Sequence, residues 1–69
     1  MKAIISRQNL DGSYAEVGTS NRMVIGHMKT ERGVLRFARK YAGSIGFRVE
    51  FFTTENFYGE PYKVVRESL

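Results

Sequence analysis

Short hydrophobic stretches separated by polar turn segments dominate the first third of the chain. Lys2–Gln8, Tyr14–Gly18 and Met23–Gly26 are rich in aliphatic, β-branched or aromatic residues, and turn-forming segments separate them. This pattern is typical of short strands that bury one face. Between the first two stretches, Asp11 and Gly12 form a dipeptide that favours a tight hairpin turn. The sequence therefore predicts two or three strands before residue 27.

The spacing of apolar residues changes to that of an amphipathic helix between Thr30 and Gly43. Apolar side chains recur at intervals of three and four residues, at Val34, Phe37, Ala38 and Tyr41. Thr30 is a suitable N-cap, and Glu31 complements the positive end of the helix dipole. Gly43 has the residue type expected where a helix stops. We therefore predict a helix that begins after Thr30 and ends before Gly43.

Two more strands are predicted after the helix. Phe47–Phe52 alternates regularly, Thr53–Pro61 is typical of a loop, and Tyr62–Glu67 alternates again. The predicted fold class is α+β. It has an antiparallel sheet of four to five strands with one helix packed on one face, in the order β-β-(β)-α-β-β. The 69 residues are expected to form a single domain, 1–69.

The amino-acid composition argues against several classes of protein. The chain is 42% hydrophobic and 13% aromatic, which argues against disorder, and it has no cysteine, which excludes disulfides and thiolate-bound zinc. A domain of this size lies near the lower limit for folding unaided, so both a monomer and a homodimer stay open. No stretch reaches the length of a membrane span, and no signal-peptide pattern is present. We therefore expect a cytoplasmic protein with no membrane partner.

The residues needed for catalysis are not grouped in the sequence. His27 is the only histidine, the carboxylates are scattered singly, and Gly43 and Gly46 lack the lysine and the spacing of a phosphate-binding loop. A lone histidine near a helix start is more often a surface or capping residue than a catalytic base. We expect a non-enzymatic protein with no cofactor and no metal.

One side of the predicted helix is strongly cationic. On a helical wheel four basic residues cluster opposite the apolar stripe, with no acidic residue among them: Arg32, Arg36, Arg39 and Lys40. The ordinary Glu–Lys pairs at i, i+4 that balance such a face are missing. The formal net charge of +4 points the same way. A solvated outer face is one interpretation; a partner-binding site centred on Arg36 and Arg39 is the other.

A group of aromatic residues gives a second candidate contact surface. It follows the helix in the sequence and consists of Phe52, Phe57, Tyr58 and Tyr62. A single helix can cover only one face of a small sheet. Part of this group is therefore expected to lie outside the core, where it is available to a partner.

Two classes of partner fit these candidate residues. The first is an acidic surface on a protein or nucleoprotein complex, contacted by the basic helix with aromatic anchors. The alternative is direct nucleic-acid binding, in which the same arginines contact phosphates and exposed aromatics stack on bases.

The helix, its terminal glycine and the aromatic strand, from Thr30 to Phe52, resemble small phage-encoded α+β proteins of the anti-CRISPR inhibitor type. The cysteine-poor, single-domain layout is similar as well. This resemblance implies a cytosolic, non-enzymatic inhibitor or adaptor that occludes a site on a large bacterial nucleoprotein complex. It is a resemblance of layout and assigns no residue roles.

Overall fold

The predicted α+β fold is confirmed in a computed structural model, which describes residues 2–14, 22–43, 45–53 and 59–67. One helix and one antiparallel sheet make up this part of the chain. In chain order the elements are β1 (Lys2–Arg7), β2 (Arg22–Ile25), α1 (Glu31–Ala42), β3 (Phe47–Phe52) and β4 (Lys63–Glu67).

The four strands form one sheet in the order β2-β1-β3-β4, and all neighbouring strands are antiparallel. Ala3 on β1 pairs with Ile25 on one side and with Phe51 on the other. On the far side of β3, Val49 pairs with Val65. The two most apolar strands are thus central, where neighbours on both sides exclude water, and β2 and β4 form the edges.

Helix α1 covers one face of the sheet. Alternate residues of β1 and β3 point to this face, because side chains along a strand alternate between its two sides. Small residues on α1 face them and let the helix approach closely. The resulting core consists of Ala3, Ile5, Ile25, Val34, Ala38, Ala42, Phe47, Val49 and Phe51. Burying a side chain as large as Phe51 contributes about 1.5–3 kcal/mol.

The opposite face of the sheet is also buried at its centre. Ile4, Ser6 and Phe52 are all buried there, and only 4% of Phe52 is exposed. Phe52, a candidate contact residue, is therefore not among the aromatics that lie outside the core. Phe52 lies on a central strand and pairs with Lys2 of β1, so its burial does not depend on the helix.

The ends of α1 are those predicted from the sequence. The Thr30 hydroxyl accepts a hydrogen bond from the Gly33 amide at 3.0 Å, as an N-cap does. At the other end Gly43 adopts a positive φ of 67°, and its amide donates to the Arg39 carbonyl. A positive φ is readily accessible only to glycine, which explains why the helix stops there.

The predicted turn after β1 is confirmed. The Asn9 amide donates to the Ser13 carbonyl at 2.7 Å, and Gly12 has a φ of 90°. The Asp11 carboxylate accepts hydrogen bonds from both the amide and the hydroxyl of Ser13. Beyond the turn, Tyr14 forms a single bridge with Gln8. The rest of the predicted second strand, 15–18, lies outside the described residues.

Gly46 is the position where the fold leaves no room for a side chain. A Cβ there would collide with the Gln8 side-chain oxygen and would lie 2.7 Å from the Glu67 carbonyl oxygen. We predict that Gly46→Ala lowers the free energy of unfolding by about 1–3 kcal/mol, because the backbone of β4 must shift. Urea denaturation followed by circular dichroism measures this change.

Gly26→Ala is the matched control for that substitution. Its Cβ would meet only the flexible end of the Lys2 side chain, with Nζ at 3.1 Å. We expect the free energy of unfolding to change by less than about 1 kcal/mol. If the two substitutions lowered the free energy of unfolding equally, the close approach of Gln8 and Glu67 would not be the reason for glycine at position 46.

Candidate functional site

The basic residues of α1 lie on its solvent side, as predicted. Arg32, Arg36, Arg39 and Lys40 are all exposed. The buried residues of the helix, Val34, Ala38 and Ala42, face the sheet instead. A helix repeats every 3.6 residues, so spacings of four, seven and eight bring the four cations onto one side.

Arg39 has an ion-pair partner that the sequence pattern did not predict. Its guanidinium binds the Glu67 carboxylate on β4 through two bonds, Nε to Oε1 at 3.2 Å and Nη2 to Oε2 at 2.6 Å. This bidentate geometry raises the pKa of Arg39 and lowers the pKa of Glu67, chiefly through the hydrogen bonds. Arg39 is therefore balanced, and the expectation of four uncompensated cations is corrected for this residue.

A second group of polar contacts links the start of α1 to β4. The Glu31 carboxylate accepts hydrogen bonds from Lys63 Nζ at 2.8 Å and from the Tyr62 hydroxyl at 2.9 Å. The bond from Lys63, followed by the bond from Tyr62, lowers the pKa of Glu31. Burial, together with the bond to Glu31, raises the pKa of Tyr62. Both ends of the helix are thus tied to the same edge strand.

Three cations remain on the outer side of α1. Within the described ranges, no carboxylate lies within 4.0 Å of the charged group of Arg32, Arg36 or Lys40. We call these three residues the basic face. At a rise of about 1.5 Å per residue, they lie along about 12 Å of helix. The candidate partner-binding site on α1 is thereby reduced to the three residues of the basic face.

The aromatic candidates do not form one surface. Phe52 is buried, and Phe57 and Tyr58 lie outside the described residues. Tyr62 is 51% exposed, which confirms that part of the group lies outside the core. Its hydroxyl is bonded to Glu31, and its ring lies 6.2 Å from that of Phe51, so it flanks the helix near β4.

A second cationic group lies on the sheet face opposite α1, and sequence reasoning missed it. The strand register places four residues in one row across the sheet, in the order Arg22, Ser6, Arg48 and Arg66. Arg48 lies 3.4 Å from the Glu50 carboxylate and 4.8 Å above the Tyr14 ring, so its charge is largely balanced. Only the pairing of distant strands assembles this row, so no local pattern in the sequence could have indicated it.

The described residues offer little for binding a small ligand. They contain no group of three or more side chains able to hold a metal ion. A cavity of about 150 Å³ lies beside the end of α1, between Ala42, Phe47 and the Arg39–Glu67 pair. Pockets that enclose small ligands are usually larger than about 300 Å³. In the described part of the chain no helix is long and apolar enough to cross a membrane.

Comparison with known proteins gives no relative from which a role could be transferred. No protein-family model matches the chain, and neither a curated protein nor a solved structure matches it. Function therefore has to be argued from the charges and contacts of the surface itself.

Because Arg39 has an ion-pair partner and Arg36 has none in the described part of the chain, reversing their charges should affect folding differently. Arg39→Glu places a second carboxylate beside Glu67 and should lower the midpoint of urea denaturation. Arg36→Glu breaks no ion pair with a described residue and should change stability by less than about 0.5 kcal/mol. Equal shifts in the two midpoints would contradict the assignment of Arg39 to the helix–strand contact.

The contacts of Glu31 and Glu67 predict a loss of stability in acid. The pKa of each is below the ordinary 4.5 in the folded chain. The contribution of these two carboxylates to folding stability is therefore present above the pKa they have in the unfolded chain. It is lost as the pH falls through the lower pKa they have in the folded chain. The denaturation midpoint should fall between neutral pH and about pH 3, and it should fall less in the double variant Glu31→Gln, Glu67→Gln.

Some acid dependence should persist in that variant. Hydrogen bonds from Ser13 also lower the pKa of Asp11, which lies in the turn after β1. An equally large fall in the midpoint of wild type and double variant would exclude the helix–strand carboxylates as its source.

Proposed function

We propose that this is a non-enzymatic binding protein, an inhibitor or adaptor, that docks through its basic face on an acidic surface of a bacterial protein or nucleoprotein complex. The observation that supports this is the charge distribution of α1. Arg32, Arg36 and Lys40 are exposed within about 12 Å of helix and have no carboxylate partner among the described residues.

Neighbouring acidic groups could have balanced this face, but they are used elsewhere. Glu31 binds Lys63 and Tyr62, and Glu67 binds Arg39. Both carboxylates thus hold α1 against β4 and leave the outer side cationic. Like charges at i, i+4, as at Arg32 and Arg36, cost an isolated helix about 0.2–0.5 kcal/mol. An acidic partner would offset this cost and would be attracted from a distance.

Among the described residues, the state of the aromatics favours a protein surface over a nucleic acid; Phe57 and Tyr58 lie outside that part of the chain. Binding of single strands usually combines a cationic groove with aromatic rings on which bases stack. Phe52 is buried, and the Tyr62 hydroxyl donates a hydrogen bond to the Glu31 carboxylate. Phe37 and Tyr41 are half-buried and stack on each other at 6.3 Å. Exposed cations on α1, with the partly exposed Tyr62 bonded to Glu31 at the start of the same helix, suit an acidic protein surface better.

The test compares two variants with the same change in charge. Arg32→Glu, Arg36→Glu alters the basic face, and Arg22→Glu, Arg66→Glu alters the row on the opposite sheet face; each takes the formal net charge from +4 to 0. In affinity capture from nuclease-treated bacterial lysate with quantitative mass spectrometry, wild type and the second variant should retain one common partner. The first variant should lose that partner about tenfold or more, because its contacting charges are reversed.

Nucleic-acid binding is measured in parallel by fluorescence anisotropy with single- and double-stranded DNA and RNA. We expect no sequence-independent binding at physiological salt. Two results together would instead support direct nucleic-acid binding. The partner would disappear after nuclease treatment, and the logarithm of the oligonucleotide binding constant would fall with the logarithm of salt concentration at a slope of about −3. Equal capture by both charge variants would exclude the basic face as the docking site.

A further inference from the structure

The outer edge of β4 is a pairing surface with an unusual charge pattern. β4 is an edge strand, and none of the described residues pairs with its outer side. Exposed edges present unpaired amide and carbonyl groups that another strand can bind. The strand reads Lys63-Val64-Val65-Arg66-Glu67, with a cation at one end, a carboxylate at the other, and two valines and an arginine between them.

The register that a second copy could adopt is limited by geometry. In an antiparallel pair, directly opposed residues point to the same face of the sheet. A two-fold axis normal to the sheet satisfies this only if it passes between one residue of β4 and the same residue of the second copy. Centring it on Lys63, Arg66 or Glu67 would place identical charges opposite each other, which is destabilising. Centring it on Val64 would leave Glu67 without a charged residue opposite. Centring it on Val65 pairs all five residues.

In the Val65 register every pair is compatible. Val65 lies opposite its own copy, Val64 lies opposite Arg66, and Lys63 lies opposite Glu67 at both ends. Directly opposed side chains have Cβ atoms about 4.5–5.5 Å apart, within reach of a lysine–carboxylate contact. The edge is therefore complementary to itself in charge and in length.

The existing helix–strand contacts extend this complementarity. Lys63 already binds Glu31, and Glu67 already binds Arg39, on the face covered by α1. In the paired arrangement these contacts join into a row that alternates in sign across the two copies: Glu31, Lys63, then Glu67 and Arg39 of the second copy. An ammonium has three donors and a carboxylate about four lone-pair positions, so each group can serve two partners. The opposite edge, β2, has only Arg22 as a charged residue and offers no such row.

We infer that β4 is a homodimer interface, at which a second copy of this chain adds its own β4 antiparallel in the Val65 register. The four-stranded sheets then join into one sheet of eight. Both helices lie on the same side of it, so the dimer presents two basic faces in one direction. This inference rests on the edge alone and does not require the proposed function. If that function also holds, a partner with two acidic sites would be bound bivalently.

Complementary charge variants test the interface. Lys63→Glu places a carboxylate opposite Glu67 of the second copy, and Glu67→Lys places an ammonium opposite Lys63. Each variant alone should weaken self-association about tenfold or more in sedimentation velocity, because two opposite-charge pairs become two like-charge pairs. An equimolar mixture should recover a heterodimer, since the introduced carboxylate of one variant then meets the introduced ammonium of the other. Circular dichroism of each variant checks that the fold persists after its exposed intrachain pair is lost.

Three results would overturn the inference. They are a wild-type chain that stays monomeric from micromolar to millimolar concentration, variants that associate as wild type does, and a mixture that shows no heterodimer. The wild-type measurement does not depend on the folding of any variant. None of these results bears on the basic face, which is tested by partner capture.

Oxidative cross-linking tests the register on the otherwise cysteine-free chain. In Val65→Cys the two cysteines would lie directly opposite each other, within the Cα separation that a disulfide spans. It should form a covalent dimer much faster than the control Leu10→Cys, whose residue is fully exposed in the turn after β1. Equal rates of cross-linking would contradict the Val65 register.

Discussion

The burial of two central strands beneath one short helix is the constraint on which the rest of this structure depends. The β1–β3 pair supplies Ala3, Ile5, Val49 and Phe51 to the core, and α1 covers them with twelve residues. A helix of that length reaches both strands only if it lies close to the sheet. Small side chains at Ala38 and Ala42 permit that approach. The outward side of α1, with Arg32, Arg36 and Lys40, is then exposed in the described structure.

The placement of acidic residues follows from the same constraint. A short helix on an open sheet needs to be held at its ends, and here both ends are tied to the edge strand β4. Surface ion pairs are individually weak, but bidentate geometry and shared carboxylates fix the orientation of α1. Because Glu31 and Glu67 have that structural role, the exposed side of the helix keeps its positive charge. Glu31 and Arg39 on α1 are thus engaged with β4, whereas Arg32, Arg36 and Lys40 on its outer side have no carboxylate partner among the described residues.

Local patterns were sufficient to predict the helix, its caps, the turn after β1 and most of the strand positions. Each of these depends on residues close together in the chain, such as Thr30 with Gly33. The features that could not be predicted depend on which strands become neighbours. The Arg39–Glu67 contact spans 28 positions, and Arg22 and Arg66 align only through two intervening strands. The burial of Phe52 was missed for a related reason, because alternation gives the face of a residue but not whether its strand is central.

The pairing of β1 with β3 also has a consequence for how the chain is made. Arg7 pairs with Phe47 and Lys2 pairs with Phe52, so the partners are 40 to 50 positions apart. Chains are synthesised from the N-terminus, and pairing between such distant segments is intrinsically slow. The apolar segment Ala3-Ile4-Ile5 must therefore stay unpaired with β3 until Phe47–Phe52 has been synthesised. Until that pairing forms, the segment is exposed apolar surface, which is the kind of surface at which aggregation begins.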